Sequence, residues 1–291
     1  MTLTNESAGS SAGERLFNLD LPALKQTSSV FPEQPDLITS RRLLDVACGT
    51  GEWALAAAQA APHLQITGID RSDLIDSART RARASHLDNV TFTVMDPLHP
   101  SDLPDAFFDI VNARFLVGFT PLAAWPEVIG TCLRFLRPGG LIRLVEADEL
   151  ITTSPACEKL QDLLARALWQ VHHHLFPPTQ FEGQNLGQNL LITPLLPRVL
   201  RNAGLTQVQQ AAYVTDFSAG TEAHSSMVDE ITRTYHRLLP WFVRMGLSSG
   251  EELEQVYQQM LFELRAEDFG GVGFYLTVWG RKNEAEENAH Q

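Results

Sequence analysis

Cysteine is scarce in this sequence, which has three such residues among 291, at Cys48, Cys132 and Cys157. Their number is odd and their spacing contains no CxxC pair, so the pattern excludes a disulfide framework and a four-ligand zinc site. We therefore predict that all three are reduced structural thiols and that the protein binds no metal.

Positive charge is also in short supply. Lys and Arg together number 22 against 35 for Asp and Glu, and the formal net charge is −13. A field of this sign repels phosphate backbones and anionic lipid surfaces at long range. We therefore predict that neither nucleic acid nor a membrane is a partner of this protein.

Long apolar runs are missing from the sequence as well. No stretch approaches the roughly 18 uninterrupted apolar residues that a membrane-spanning helix needs. The first residues, MTLTNESAGSSAGE, have no apolar core of the signal-peptide type. We expect a cytoplasmic protein.

Short apolar runs alternate with amphipathic stretches between Arg42 and Ala147, a rhythm that is typical of βαβ units and a parallel sheet. Longer helical patterns follow. We divide the chain into an N-terminal leader and helical segment at 1–40, a core at 41–150, a helical cap interleaved with the last two strands at 151–282, and a disordered tail at 283–291.

The same patterns predict individual elements. The predicted strands are 43–46, 65–69, 90–95, 108–112, 141–145, 205–214 and 272–279. The predicted helices are 52–61, 73–85, 124–136, 156–176, 194–202, 222–245 and 251–265. Pro and Gly at 137–140 predict a sharp turn into a strand, and Ser248 with Glu251 has the spacing of a capping box.

The sequence LLDVACGTG at 43–51 places an apolar strand, a glycine turn and the start of a helix in succession. Glycines permit positive φ and close backbone approach, and a helix N-terminus offers free N–H groups to a ligand. Gly49, Gly51 and Ala54 satisfy the GxGxxA pattern of dinucleotide-binding proteins, so an NAD-dependent oxidoreductase is one alternative. Asp45 argues against it, because a carboxylate before the turn suits a cationic ligand better than a pyrophosphate.

The stretch DVACGTGEW at 45–53 resembles the first motif of class I S-adenosylmethionine-dependent methyltransferases in its DxxCGTG form. Further stretches resemble later motifs of that family in the same order, at 66–70, 94–97, 103–114, 136–141 and 274–282. The chain is most similar to the ubiquinone and menaquinone C-methyltransferase-like group, which also contains many natural-product enzymes. One departure is Ala47, where many members have glycine.

The resemblance implies an α/β fold, with a seven-stranded, mostly parallel Rossmann-like methyltransferase sheet, a final antiparallel strand and a helical cap. It implies that the core at 41–150 binds S-adenosyl-L-methionine, which leaves as S-adenosyl-L-homocysteine. The residues implied to bind this cofactor are Asp45, Ala47, Gly49, Gly51, Asp70, Arg71, Asp96, Pro97, Asn112 and Arg114. Within this set, Asp70 would accept hydrogen bonds from the ribose hydroxyls and Asp96 would meet the adenine amino group.

The acceptor side matches no defined motif. Arg114, Phe115, Tyr235 and Trp241 are the residues predicted to contact the acceptor, and Arg114 is the preferred anchor for an acidic group. Arg233, Arg237 and Arg244 fall on one helix face as further anchors or as an ordinary solvated stripe. The catalytic residue is unknown, with Glu146, His174 and His236 as candidates.

The histidines at 172–174 do not predict a metal site, because successive helical side chains point about 100° apart and cannot converge on one ion. The function that these patterns favour is methyl transfer to a C, O or N atom of a small molecule, within secondary metabolism. A cofactor-binding protein of this fold that transfers no methyl group stays open as an alternative. The sequence also leaves a homodimer open.

Overall fold

The computed structural model describes residues 31, 39–71, 74–96, 102–118, 120, 124–148, 150–170, 179–181, 184–186 and 192–284. Several predictions lie outside these residues. They concern Pro97, His174 with its two neighbouring histidines, most of the segment at 1–40, and the tail from residue 285 onward.

Ten strands and seven α-helices occur in the described part of the chain. The strands are β1 Arg42–Val46, β2 Gln65–Asp70, β3 Val90–Val94, β4 Phe108–Arg114, β5 Leu136–Ala147, β6 Ile151–Thr152, β7 Thr179–Phe181, β8 Gln184–Leu186, β9 Thr206–Asp216 and β10 Gly271–Arg281. The helices are α1 Glu52–Ala60, α2 Leu74–Ala84, α3 Trp125–Phe135, α4 Pro155–Gln170, α5 Leu196–Asn202, α6 His224–Arg244 and α7 Gly250–Glu263.

The main sheet has eight strands in the order β3-β2-β1-β4-β5-β10-β6, with β9 also paired to β10. Strands β1 to β5 are parallel to one another, and β10 is antiparallel to both β5 and β9. The predicted α/β class with a mainly parallel sheet is confirmed. The prediction of seven strands omits β6, a two-residue strand that pairs with the start of β10.

The strand order reverses direction between β1 and β4, because β2 and β3 lie on one side of β1 while β4 and β5 lie on the other. At such a switch point the connections that follow the two adjacent strands leave in opposite directions. A crevice therefore opens at the carboxyl ends of these strands. The glycine turn follows β1 and therefore lies at this crevice.

The predicted turn at 137–140 lies inside strand β5. Pairing between β4 and β5 moves from Phe108 opposite Leu136 to Ile110 opposite Leu141, so the intervening residues form a bulge. The bulge is held by Lys282, whose backbone N–H donates to Gly140 and whose carbonyl accepts from the Gly139 N–H.

The N-cap of α7 is one residue later than the capping box predicted. Ser249 has an extended backbone, and its side chain accepts the Glu252 N–H at 3.1 Å. Ser248 contacts the Glu252 carboxylate instead, at 2.5 Å. Sequence spacing alone does not separate two adjacent serines, since either offers the same hydroxyl.

Three buried clusters hold the fold together. One joins α1 and α2 to the sheet, and a second joins α3 and α5 to it. The third is formed mainly by α4, α6 and α7, which we call the three-helix group. It also includes Phe115, which follows β4, Val145 near the end of β5, and Tyr275 of β10, which pairs with the last residue of β5. We predicted α5 as part of the cap, but its Leu196 and Leu200 are buried with α3 against the sheet.

Gly68 provides a test of the packing on the α1 face of the sheet. A Cβ atom at this position would lie 2.6 Å from Phe92 Cδ1 and 2.9 Å from Cys48 Sγ. Gly68→Ala should therefore lower the free energy of unfolding in urea by about 1–3 kcal/mol, the usual cost of overpacking.

Gly130 supplies the matched control, because a Cβ there meets nothing within 4 Å and the residue lies within α3. Gly130→Ala should raise stability by about 1 kcal/mol through helix propensity. Equal stability of the Gly68→Ala variant and the unmodified protein would show that the close packing around Gly68 is wrong.

Candidate functional site

The turn between β1 and α1 is built from residues with left-handed backbone. Ala47, Gly49 and Gly51 have φ values of 58°, 57° and 77°. Cys48 N–H donates to the Ile69 carbonyl and Gly51 N–H to the Cys48 carbonyl, each at 3.0 Å, which fixes the turn against β2. The N-cap of α1 is Gly51, which has no side chain to cap the helix, so among the described residues the first N–H groups of α1 are available to a ligand.

Beneath this turn lies a row of polar side chains on three adjacent strands, formed by Asp45, Asn112 and Arg143. The three are directly opposite one another in the β1–β4 and β4–β5 registers. Each is at most 1% exposed. Asn112 Nδ2 donates to Asp45 Oδ1 at 2.7 Å, and Arg143 Nη1 donates to Asn112 Oδ1 at 2.8 Å. We call this set the buried polar row.

Asp45 is the end of the row that reaches the turn. Burial raises the pKa of its carboxyl to about 6, against the opposing influence of the Arg114 charge and the Asn112 hydrogen bond. Its second oxygen, Oδ2, is buried and has no hydrogen-bond partner among the described residues. Trp53 Nε1, in the first turn of α1, is likewise buried without a partner there. Asp45 thus offers a buried acceptor, and Trp53 a buried donor, that no described residue satisfies.

Arg143 and Trp53 were not predicted as site residues. The signal for Arg143 was present in the sequence, because a charged residue inside the mainly apolar strand segment LIRLVEA is unusual unless it is paired. Asn112 was predicted to line the ligand, but the structure buries it completely and engages its amide with Asp45 and Arg143. Its role in the structure is to position Asp45.

The predicted acids on β2 and β3 lie at the same edge. Asp70 Oδ2 accepts the Gly49 N–H at 2.9 Å, so this carboxylate also supports the glycine turn. Arg71 Nη2 lies 2.5 Å from Asp96 Oδ2, with half of the Arg71 side chain exposed. The structure therefore brings Asp45, Asp70 and Asp96 to the carboxyl ends of three neighbouring strands.

Arg114 ends β4 and is stacked between aromatic rings. Its guanidinium carbon lies 5.6 Å from the ring centroids of both Trp53 and Phe115. The residue is 9% exposed, so the stacking takes place largely out of water, where such contacts are stronger. Phe115, with φ of 55°, in turn meets the Tyr275 ring edge-on at 6.3 Å.

Glu146, a predicted catalytic candidate, is fully buried at the end of β5. Its Oε1 accepts the Leu116 N–H at 2.8 Å and its Oε2 accepts the Val117 N–H at 3.3 Å. Burial raises the pKa of this carboxyl to about 8, although the two amides oppose the shift. This geometry gives Glu146 the role of holding the 3-10 turn Leu116–Gly118.

The predicted acceptor residues on α6 have separate environments. Tyr235 and Trp241 are buried within the three-helix group. His236, the other described catalytic candidate, is exposed, with its ring 5.6 Å from that of Tyr257. Two of the arginines predicted on one face of α6 form ion pairs within that helix. Buried Glu230 pairs with Arg233 at 2.8 Å and with Arg237 at 3.9 Å.

The three cysteines are buried free thiols, and burial raises the pKa of both Cys132 and Cys157 to about 12. Among the described residues, no group of three His, Cys, Asp or Glu side chains could hold a metal ion. In that same part of the chain, no helix is both long and apolar enough to cross a membrane.

Residues 43–140 match the methyltransferase domain family. The demethylmenaquinone methyltransferase of Deinococcus radiodurans is 38% identical over 107 residues, or 36% of this chain and 43% of the relative. That of Staphylococcus aureus strain JH9 is 28% identical over 188 residues, or 62% of this chain and 73% of the relative. The match thus spans less than half the length of the first relative.

Two solved structures share the fold. A Bacillus halodurans C-125 protein assigned as a methyltransferase has a TM-score of 0.51 at 16% identity, covering 84% of this chain and 93% of that chain. Haemonchus contortus phosphoethanolamine N-methyltransferase 2 has a TM-score of 0.50 at 16% identity, and the match covers 88% of this chain and 52% of that chain. Neither the family match nor these relatives support the NAD-dependent oxidoreductase alternative.

Ala47 allows a test of the turn geometry. An L-residue with side chain pays roughly 1–2 kcal/mol for left-handed backbone, a cost that glycine avoids. Ala47→Gly should therefore raise the free energy of unfolding by about 0.5–1 kcal/mol, measured in urea. Ala56→Gly, at an exposed position within α1, should instead lower it by about 1 kcal/mol. Loss of stability in both variants would contradict the φ of 58° at Ala47.

Glu146 predicts a pH dependence of stability. Because its pKa is raised from 4.5 to about 8, the folded protein holds a proton that the unfolded chain releases between these values. The stabilisation that this carboxyl contributes is complete below pH 4.5 and is lost as pH rises through about 8. The free energy of unfolding should therefore fall between about pH 6 and pH 8, by at most about 1.4 kcal/mol per unit.

Glu146→Gln should flatten this decline, and the exposed control Glu254→Gln should leave it unchanged. Asp45, with a pKa of about 6, is half ionised at pH 6 and almost fully ionised above pH 7, so the slope between about pH 7 and pH 8 reports Glu146 with little contribution from Asp45. An undiminished slope in Glu146→Gln would exclude the buried carboxyl as its source.

Proposed function

We propose that this chain, which belongs by its methyltransferase domain and its fold to the class I S-adenosylmethionine-dependent methyltransferases, transfers a methyl group to a small-molecule acceptor. The observation that carries the proposal is the convergence of Asp45, Asp70 and Asp96 around an uncapped helix N-terminus and a left-handed glycine turn.

The residues fit S-adenosylmethionine in their donor and acceptor chemistry. The amino-acid portion of this cofactor carries both a cation and a carboxylate. Asp45 Oδ2 is an unsatisfied buried acceptor that suits the cation, and Trp53 Nε1 is an unsatisfied buried donor that suits an anion. Asp70 would take the ribose hydroxyls, and Asp96 would lie toward the adenine.

When bound, S-adenosylmethionine would supply an activated methyl group, to which an acceptor atom bonds as the carbon–sulfur bond breaks and S-adenosylhomocysteine leaves. The chain's own residues align the reactants and exclude water, effects that contribute up to about 7–11 kcal/mol when orientation is good. Asn112 and Arg143 fix the Asp45 carboxylate, and the stacked Arg114, Trp53 and Phe115 form a rigid wall beside the turn. Because Glu146 is held by two backbone amides, we assign it to the wall as well and name no general base.

The acceptor would lie between this wall and the three-helix group. Phe115 belongs to the buried cluster of that group, so an apolar body would be favoured there. Arg114, which ends β4 beside the turn, is the cation we assign to an acidic group on the acceptor, with Arg233 and Arg237 on α6 as further candidates. The names of the relatives make a quinol ring of the demethylmenaquinone type one acceptor to test.

The proposal is tested by incubating the protein with S-adenosylmethionine carrying a deuterated methyl group, together with a small-molecule metabolite extract and a quinol panel. Mass spectrometry should find the deuterated methyl in a small molecule, and an equal amount of S-adenosylhomocysteine should form. Label found only in protein or RNA would contradict a small-molecule acceptor. Tight cofactor binding without any transfer would support the alternative of a binding protein.

Asp45 predicts how cofactor affinity depends on pH. A cation binds the ionised carboxylate, and the fraction of ionised Asp45 falls as pH drops below its pKa of about 6. Affinity for S-adenosylhomocysteine should therefore fall by up to about tenfold per pH unit below this value. Calorimetry between about pH 4.5 and pH 8 measures it.

In this titration Asp45→Asn should show weaker binding that no longer depends on pH in the acidic range. Asp76→Asn, an exposed position on α2, should keep the profile of the unmodified protein. Unchanged affinity and an unchanged profile in Asp45→Asn would remove this carboxylate from the cofactor site.

A further inference from the structure

Tyr275, near the middle of β10, carries a hydroxyl group that nothing in the described part of the chain satisfies. The residue is 5% exposed, and its hydroxyl oxygen is buried with no hydrogen-bond partner there. A buried hydroxyl without a partner costs about 1–3 kcal/mol, and such groups are rare in folded proteins unless a ligand or water completes them. The sequence patterns did not single out this residue.

The position of Tyr275 relates it to the glycine turn through a short series of contacts. Its ring meets Phe115 edge-on at 6.3 Å, and the Arg114 guanidinium lies 5.6 Å from Phe115 on one side and 5.6 Å from Trp53 on the other. Trp53 is the second residue of α1, directly after the turn. Tyr275 therefore lies on the same wall that we assign to the acceptor.

The hydroxyl extends past the end of the parallel strands. Tyr275 is paired with Ala147, the last residue of β5, so the residues of β10 that precede Tyr275 lie beyond that end. A Cβ atom placed on Gly273 would be 2.8 Å from the Tyr275 hydroxyl, which shows that the hydroxyl points toward Gly273. Glycine at this position leaves room for the hydroxyl, which a Cβ atom would crowd.

We propose that the Tyr275 hydroxyl donates a hydrogen bond to an oxygen atom of the methyl acceptor, and so selects acceptors that carry a carbonyl, hydroxyl or carboxylate oxygen on an apolar body. This inference rests on the proposed function, because it takes the space beside Phe115 as the acceptor site. Burial raises the pKa of the phenol above its ordinary value, so the group stays protonated at neutral pH and serves as a donor. Tyr275 is thus a specificity-determining residue.

The first arm of the test measures the free protein. If the hydroxyl has no partner, Tyr275→Phe should leave the thermal midpoint unchanged or raise it, because the ring contact with Phe115 is kept. Tyr257→Phe is the matched control, since the Tyr257 hydroxyl donates to the Thr232 carbonyl at 3.4 Å and its loss should lower the midpoint. A lower midpoint in Tyr275→Phe than in the control would show that the hydroxyl is already satisfied, and would overturn the inference.

The second arm measures binding of 1-naphthol and of 1-methylnaphthalene to the S-adenosylhomocysteine complex by ligand-observed NMR. These probes have similar size, and only the first carries an oxygen. The unmodified protein should prefer 1-naphthol, and Tyr275→Phe should reduce that preference by about 3- to 10-fold while binding 1-methylnaphthalene equally well.

Absence of a preference in the unmodified protein, or the same preference in Tyr275→Phe, would overturn the inference. Failure of the proposed function is recognised separately, because S-adenosylhomocysteine would then not bind or the deuterated methyl group would reach no small molecule. If the unmodified protein and Tyr275→Phe bind S-adenosylhomocysteine equally well, the substitution affects binding of the acceptor and not binding of the cofactor.

Discussion

The rest of this structure depends on one constraint. A carboxylate and a guanidinium are buried at paired positions on three neighbouring parallel strands. Asp45 and Arg143 are each 1% exposed and are joined through the amide of Asn112. Removing one partner from such a set leaves an uncompensated buried charge, which costs about 3–5 kcal/mol. A shift of one residue in either pairing would turn these side chains to opposite faces. The row therefore fixes β1, β4 and β5 relative to one another.

The chemistry at the glycine turn follows from that alignment. Because Asn112 occupies only one oxygen of Asp45, the other is held in place, buried and unsatisfied, directly before the turn. The Arg143 guanidinium carbon lies 5.6 Å from the Trp53 ring, and Trp53 also meets Arg114. The same packing that compensates the buried charges thus builds the wall beside the turn, so stability and ligand geometry share their residues.

The sequence predicted the parts of the site that are encoded locally. Asp45, Gly49 and Gly51 belong to one short motif, and Asp70 ends the next strand, so their placement follows from strand, turn and helix in succession. Arg143 and Tyr275 could not be assigned in this way, because their partners are distant in the chain and are brought together by sheet pairing. The packing of α5 against α3 has the same origin, since a short amphipathic helix does not encode which surface it will cover.

The central claim is that the turn after β1 binds S-adenosylmethionine rather than a dinucleotide, and calorimetric titration of the protein with S-adenosylhomocysteine and with NAD tests it most directly. We predict saturable binding of S-adenosylhomocysteine in the micromolar range and no comparable heat from NAD. Asp70→Ala should weaken that binding by about 1.5–3 kcal/mol, the scale of hydrogen bonds to a charged group. Binding of NAD at least as tight as that of S-adenosylhomocysteine would contradict the account.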